Sequence, residues 1–288
     1  MSHLQDVTRF LLAAGGAAHP QDKGMYLLYT NHAILTIKHW TGTVVGDQEL
    51  ITKSVRADST ASYVLKSDGT HLIFCISLSS TIRALRLAEE EEGWVNHEIP
   101  PFDVHSMGSL AATIDRGGRR SVLFQDASGK LVHLDDTWTP SVLPVDAVIG
   151  SPIATLQYGD NVRAFYISAA DNCMHDVTRC RKVGWRDRRT NSYIFSKMPK
   201  RLTVGRRGSG SFETFALTAD DMLLLILDNG QSHVLGKVDG MGVLWAGDGP
   251  MCCRELPQLD FRPTKWNNSA RATSSSKVEF PRMRRMTG

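Results

Sequence analysis

Near the middle of the chain, three residues have the types and spacing for ligand chemistry. Within "NVRAFYISAADNCMHDVTRCRKVGW", Arg163 lies on one strand-like run and Asp176 on the next, and Trp185 follows Gly184. Arginine offers a fixed fork of donors, a carboxylate offers acceptors, and an indole offers a flat apolar face. That set suits a ring with hydroxyls on its rim and one apolar side, as a sugar has. Such binding needs no metal and no proton transfer, so no cofactor is implied. The plain alternative is a surface ion pair between Arg163 and Asp176 on neighbouring strands, worth about 0.2–1 kcal/mol.

Other chemistry is poorly supported. Cys173, His175 and Cys180 fall short of the four closely arranged ligands of a structural zinc site. The five cysteines show no paired zinc spacing and read as free thiols. "AEEEEGW" lacks the alternating oxygens and glycine turn of a calcium loop, and "RRGSGSF" lacks the ending of a phosphate loop. Neither a nucleophile elbow nor a zinc-protease helix is present. Asp103, Asp115, Asp160 and Asp176 are carboxylates of the kind a glycosidase pairs, but no spacing singles out two of them. The expectation is a binding protein and not an enzyme.

A repeat supplies the elements that must position these residues. Short strands carrying an aromatic recur at Tyr29, Phe74, Phe124, Phe165 and Phe215, spaced 45, 50, 41 and 50 residues apart. Each is followed by a polar turn, a second strand and a tryptophan: Trp40, Trp94, Trp138, Trp185 and, later in its unit, Trp245. "GSLAATID" at Gly108 and "GSPIATLQ" at Gly150 are copies of a first strand with small residues. Units of this length with four antiparallel strands pack around an axis as a β-propeller. A β-sandwich would explain the short strands but not the long period. The fold class is therefore all-β, a β-propeller with five recognisable blades, six-bladed if terminal segments close it.

With the repeat laid out, the fourth unit resembles the fungal fucose-specific lectins, six-bladed propellers with sugar sites between blades. The resemblance covers roughly residues 24–247 and is one of pattern. It implies that Arg163 is the family's sugar-binding arginine and Trp185 its tryptophan. It also implies that Asp176, or His175, stands in the family's glutamate position. Aspartate for glutamate retracts the carboxylate by one methylene. The other units have lost the set: Ser121 and Leu134 in the third, Leu72 and Ala84 in the second, Leu225 in the fifth and Thr36 in the first occupy the corresponding positions. The implied ligand is a fucosylated or related glycan, at one or few sites, whereas multivalent lectins gain avidity from several. The second reading is a protein–protein interaction propeller, since polar positions have become apolar.

Composition bounds the rest. Charged residues make up 22% and hydrophobic ones 42%, as in a soluble globular chain. Apolar runs such as "FLLAA" and "MLLLIL" are far shorter than the roughly 18 residues of a membrane helix. Asp6 and Arg9 ahead of a short apolar run argue against a secretory signal, so the expected location is cytoplasmic. The expected organisation is a helical or loop lead-in over 1–24, the propeller over 25–249, and a basic disordered tail over 250–288. From Arg262 onward seven basic residues face one acid, but no aromatic interleaving accompanies them, which argues against nucleic acid as a partner.

Overall fold

In the computed structural model the chain is described at residues 3–18, 24–41, 44–66, 68–88, 93–115, 117–158, 161–180, 184–206, 211–239, 244–246 and 249–250. The expected basic tail lies outside these residues. A helix, α1 (His3–Leu12), comes first and five antiparallel sheets follow in chain order. Blade one is β1 (Gly15–Ala18), β2 (Met25–Asn31), β3 (Ile34–Trp40) and β4 (Val45–Lys53). Blade two is β5 (Ser62–Leu65), β6 (His71–Ile76), β7 (Ile82–Ala88) and β8 (Gly93–His97). Blade three is β9 (Leu110–Ile114), β10 (Arg120–Gln125), β11 (Leu131–Leu134) and β12 (Pro140–Val142). Blade four is β13 (Ala154–Tyr158), β14 (Asn161–Ile167), β15 (Cys173–Cys180) and β16 (Gly184–Ile194). Blade five is β17 (Arg201–Arg206), β18 (Phe212–Leu217), β19 (Met222–Leu227) and β20 (Ser232–Val238), extended by β21 (Leu244–Ala246) and β22 (Gly249–Pro250).

The first strand of each blade is innermost, and successive inner strands lie beside one another. Small residues suit that crowded position. The repeated Gly-Ser explains itself here, because the serines stitch one blade to the next. Ser109 Oγ donates to the Ser151 carbonyl at 2.6 Å, and Ser151 Oγ accepts from the Ile167 N–H at 2.8 Å. Thr60 and Ser62 of the second unit accept from the Leu110 and Ala112 N–H groups of the third in the same way. The Gly-Trp ending also has a cause. Gly93 and Gly184 enter the fourth strand at φ +137° and +76°, a region that side chains disfavour.

The apolar core is divided among the junctions of the ring. Separate buried clusters join blades one and two, two and three, three and four, and four and five. Two more clusters involve α1. Leu4, Val7 and Leu11 form a stripe packed on Phe215, Leu217, Leu223 and Leu225 of blade five. Phe10 and Ala13 pack on Leu27 and Trp40 of blade one. The helix is thus a wedge between the last blade and the first. Trp40 Nε1 donates to Asp6 Oδ1 at 2.9 Å, and the Arg9 guanidinium lies 4.0 Å over the Trp40 ring. Full burial of each of its three stripe residues contributes about 1.5–3 kcal/mol. Beyond the helix, Arg201 of β17 donates to the Asp58 and Ser59 carbonyls at 3.1 and 3.4 Å, tying blade five to the segment leading into blade two.

Two sequence expectations shift. The first blade begins at Gly15, inside the segment expected as lead-in, because Gly15–Ala18 pairs with β2 along its whole length. Trp245 lies on β21, one strand beyond β20, and so does not repeat the position of Trp94 and Trp185 at the start of a fourth strand.

Candidate ligand-binding clefts

Strand alternation sends neighbouring side chains to opposite faces of a blade, and this divides the candidate residues of blade four. Arg163, opposite Thr178, and Phe165, opposite Asp176, share the face that packs on blade five. Ala164, Tyr166, Val177 and Trp185 share the face that packs on blade three. His175 is opposite Tyr166 and belongs to the second face. The structure therefore brings Arg163 and Asp176 together and holds Trp185 and His175 on the other side of the sheet.

In the cleft between blades four and five, Asp176 is 2% exposed. Its Oδ1 accepts from Arg188 Nε at 3.0 Å, and its Oδ2 accepts from Thr178 Oγ1 at 3.1 Å. Arg163 Nη1 lies 3.6 Å from the same Oδ2, and its guanidinium sits 5.1 Å over the Phe212 ring of blade five. Phe212 is the aromatic wall of this cleft. The fourth strand of blade five, "SHVLGKV", brings no tryptophan.

In the cleft between blades three and four, His133 stands opposite Leu123 as Asp176 stands opposite Phe165. Ser121 hydrogen-bonds His133 Nε2 at 3.1 Å, the counterpart of the Arg163–Asp176 pair. Trp185 closes the cleft edge-on to His133 at 5.0 Å. Burial pushes the His133 pKa down to about 4, with Arg179 adding to the effect, so the ring is neutral near pH 7. His175 is pinned by two carboxylates, with Nδ1 at 3.0 Å from Asp187 Oδ2 and Nε2 at 3.3 Å from Asp171 Oδ2. Tyr166 donates to Asp187 Oδ1 at 2.7 Å, and burial together with this bond raises its pKa above the ordinary tyrosine value. His175 is thereby committed to the hairpin. Asp171 also caps the turn by accepting the Cys173 N–H, and Asn172 takes φ +55° there.

The remaining junctions are filled. Between blades two and three, Leu72 and Ala84 occupy the two positions as expected, both 2% exposed. Trp138 packs there with the Arg120 guanidinium stacked at 3.7 Å. Between blades one and two, Tyr26 stacks on Tyr63 at 5.0 Å, and Trp94 Nε1 donates to Glu49 Oε1 at 3.0 Å. On the face of blade five that meets α1, Glu213 and Leu225 hold the positions. Two assignments are corrected. His133, not Leu134, corresponds to Asp176, and Ile37, opposite Leu28, takes the place expected for Thr36. Hairpin length is the cause for Leu134, whereas Thr36 stands opposite Tyr29 and it is Leu28 that faces blade two. Asp176 is 11 residues beyond its partner Phe165, His133 is 10 beyond Leu123, and Ile37 is 9 beyond Leu28.

No family model matches the chain, and no curated protein matches it by sequence. Solved structures do match its fold. The chain resembles AofleA from Arthrobotrys oligospora with a TM-score of 0.61 at 12% identity, over 80% of this chain and 74% of that one. It resembles the Aleuria aurantia lectin, a six-bladed β-propeller with a fucose recognition mode, with a TM-score of 0.57 at 13% identity over 76% of each chain. A luciferin-regenerating enzyme shares the fold at TM-score 0.51 and 11% identity, over 78% of this chain and 77% of that one. The class is thus a β-propeller of five blades, with the fold of the fungal fucose-specific lectins at a distant level of sequence. Where those lectins have six blades, the described residues here form five blades and a helical wedge.

Proposed function

We propose that this protein is a carbohydrate-binding propeller without enzymatic activity, whose glycan site is the cleft between blades four and five. The observation that carries this reading is the Arg163–Asp176 pair. Among the described blades only the fourth places an arginine and a carboxylate at these two positions, and it faces them into a junction between blades. The other blades fold with Tyr26 and Ile37, Leu72 and Ala84, Ser121 and His133, or Glu213 and Leu225 there. The charges are therefore not required to build a blade. A glycan presents hydroxyls that accept from arginine, whose guanidinium the buried Asp176 carboxylate holds in place, and fucosylated or related glycans are the first candidates because the lectins of similar fold include a fucose binder. A glycan array probed with wild type and Arg163→Ala tests this. Signal on glycans that is lost in the variant is expected. No glycan signal, or signal unchanged by the substitution, would overturn it.

A second reading, a propeller for protein contact, loses one support and gains another. Leu72 and Ala84 are packed between blades and Leu225 against α1, so they offer a partner no surface. Leu78, Met107 and Ile149, however, are 60%, 64% and 45% exposed, Leu78 on the β6–β7 turn and the other two on connections leading into inner strands. Capture of one stoichiometric partner, insensitive to sugar competition and lost on Met107→Ser with Ile149→Ser, would favour this reading.

A further inference from the structure

We infer that the ligand of the cleft between blades four and five is an acidic saccharide, one carrying a carboxylate or sulfate, and not a neutral one. The inference rests on the reading of that cleft as the glycan site. Ladder register places two rows of side chains side by side on this face of blade four. One row runs Leu156, Arg163, Thr178, Arg186, and the next runs Ala154, Phe165, Asp176, Arg188. Directly opposed and diagonal neighbours on one face lie within reach of long side chains. Two guanidinium groups, of Arg163 and Arg188, therefore contact the single carboxylate, and Arg186 stands diagonal to it in the ladder. On the blade-five wall Arg206 stands opposite Phe212, and Asp228 follows β19, so these two offset each other in net charge. Among the described residues the two rows carry three arginines to one carboxylate, an excess of two positive charges.

The carboxylate cannot serve a neutral sugar well, because both of its oxygens are engaged by Arg188, Thr178 and Arg163. The donors are differently placed. The Arg188 side chain is 54% exposed, and Arg186 is exposed without an ion pair among the described residues. A surface rich in donors and poor in acceptors selects a ligand that brings acceptors and negative charge. The aromatic wall points the same way. Phe212 is 7% exposed and lies beneath the Arg163 guanidinium, so it presents little ring face for the C–H side of a neutral sugar.

The test is direct titration of the full chain with three probes: α-methyl fucoside, N-acetylneuraminic acid and galactose 6-sulfate. Binding of at least one acidic probe about tenfold tighter than the fucoside is expected, weakening as salt rises. Arg186→Gln, with its melting temperature checked against wild type, is expected to narrow that ratio severalfold. Binding of the fucoside as tight as or tighter than both acidic probes, with Arg163→Ala removing it, would overturn the inference and leave the glycan site standing. An acidic preference that neither salt nor Arg186→Gln reduces would place the anion elsewhere and also overturn it. No binding of any of the three, together with a blank glycan array, would remove the site reading itself.

Discussion

The two clefts flanking blade four are built on one plan and have opposite contents. The cleft toward blade five has the arginine and the buried carboxylate but no tryptophan at the start of the facing fourth strand. The cleft toward blade three has the tryptophan, with Ser121 and His133 where the charges would be. A pattern that is contiguous in the chain is divided in space, because each blade gives its pair to the next blade and its tryptophan to the previous one. Trp94, Trp138 and Trp185 all pack toward the preceding blade. A complete set therefore needs two adjacent units to retain complementary halves, and here no two do. The comparison teaches that residues contiguous in one repeat can serve two different clefts, so the pair and the tryptophan must be judged separately.

Several substitutions separate the clefts. The largest effect is expected for Asp176→Ala, which leaves the largely buried Arg163 over Phe212 without its carboxylate. Removing one partner of a buried pair costs about 3 kcal/mol or more, so a marked fall in denaturation midpoint is predicted. Lowering the pH acts on the other cleft. The folded His133 pKa of about 4 lies below its ordinary 6.5, so the unfolded chain binds the proton first. This contribution to stability is complete above about pH 6.5 and is lost as pH falls toward 4, by at most about 3 kcal/mol. A pH series of melts should show that slope, and His133→Gln should flatten it. Trp185→Ala removes half-buried ring area and is expected to cost about 2 kcal/mol while leaving glycan binding in place. Thr178→Val should be the mildest, about 1 kcal/mol, for one lost hydrogen bond to Asp176.

Much of the fold was legible in the chain. The recurring aromatic strands, the Gly-Ser inner strands and the Gly-Trp endings each correspond to a structural cause. Leu72, Ala84, Ser121 and Leu225 were placed correctly because their hairpins keep one length or were aligned at the first strand. Leu134 was misplaced because the turn of blade four has one residue more than that of blade three, and Thr36 because it stands opposite Tyr29, whereas Leu28 holds the position of Phe165 in blade one. Side-chain period is two in a strand, so a single-residue error moves a side chain to the opposite face. The wedge role of α1 left little trace, since an amphipathic stripe of Leu4, Val7 and Leu11 says only that the helix packs on something. Arg186 and Arg188 join the face of Arg163 and Asp176 only through the β15–β16 register, which sequence spacing does not show. Register also puts Asp176, and not His175, on the same face as Arg163.

The most direct measurement is a glycan-binding titration of Arg163→Ala and Trp185→Ala side by side, each checked for native melting behaviour. We predict that Arg163→Ala abolishes binding and Trp185→Ala preserves it. The reverse pattern would place the ligand in the cleft between blades three and four and contradict the assignment.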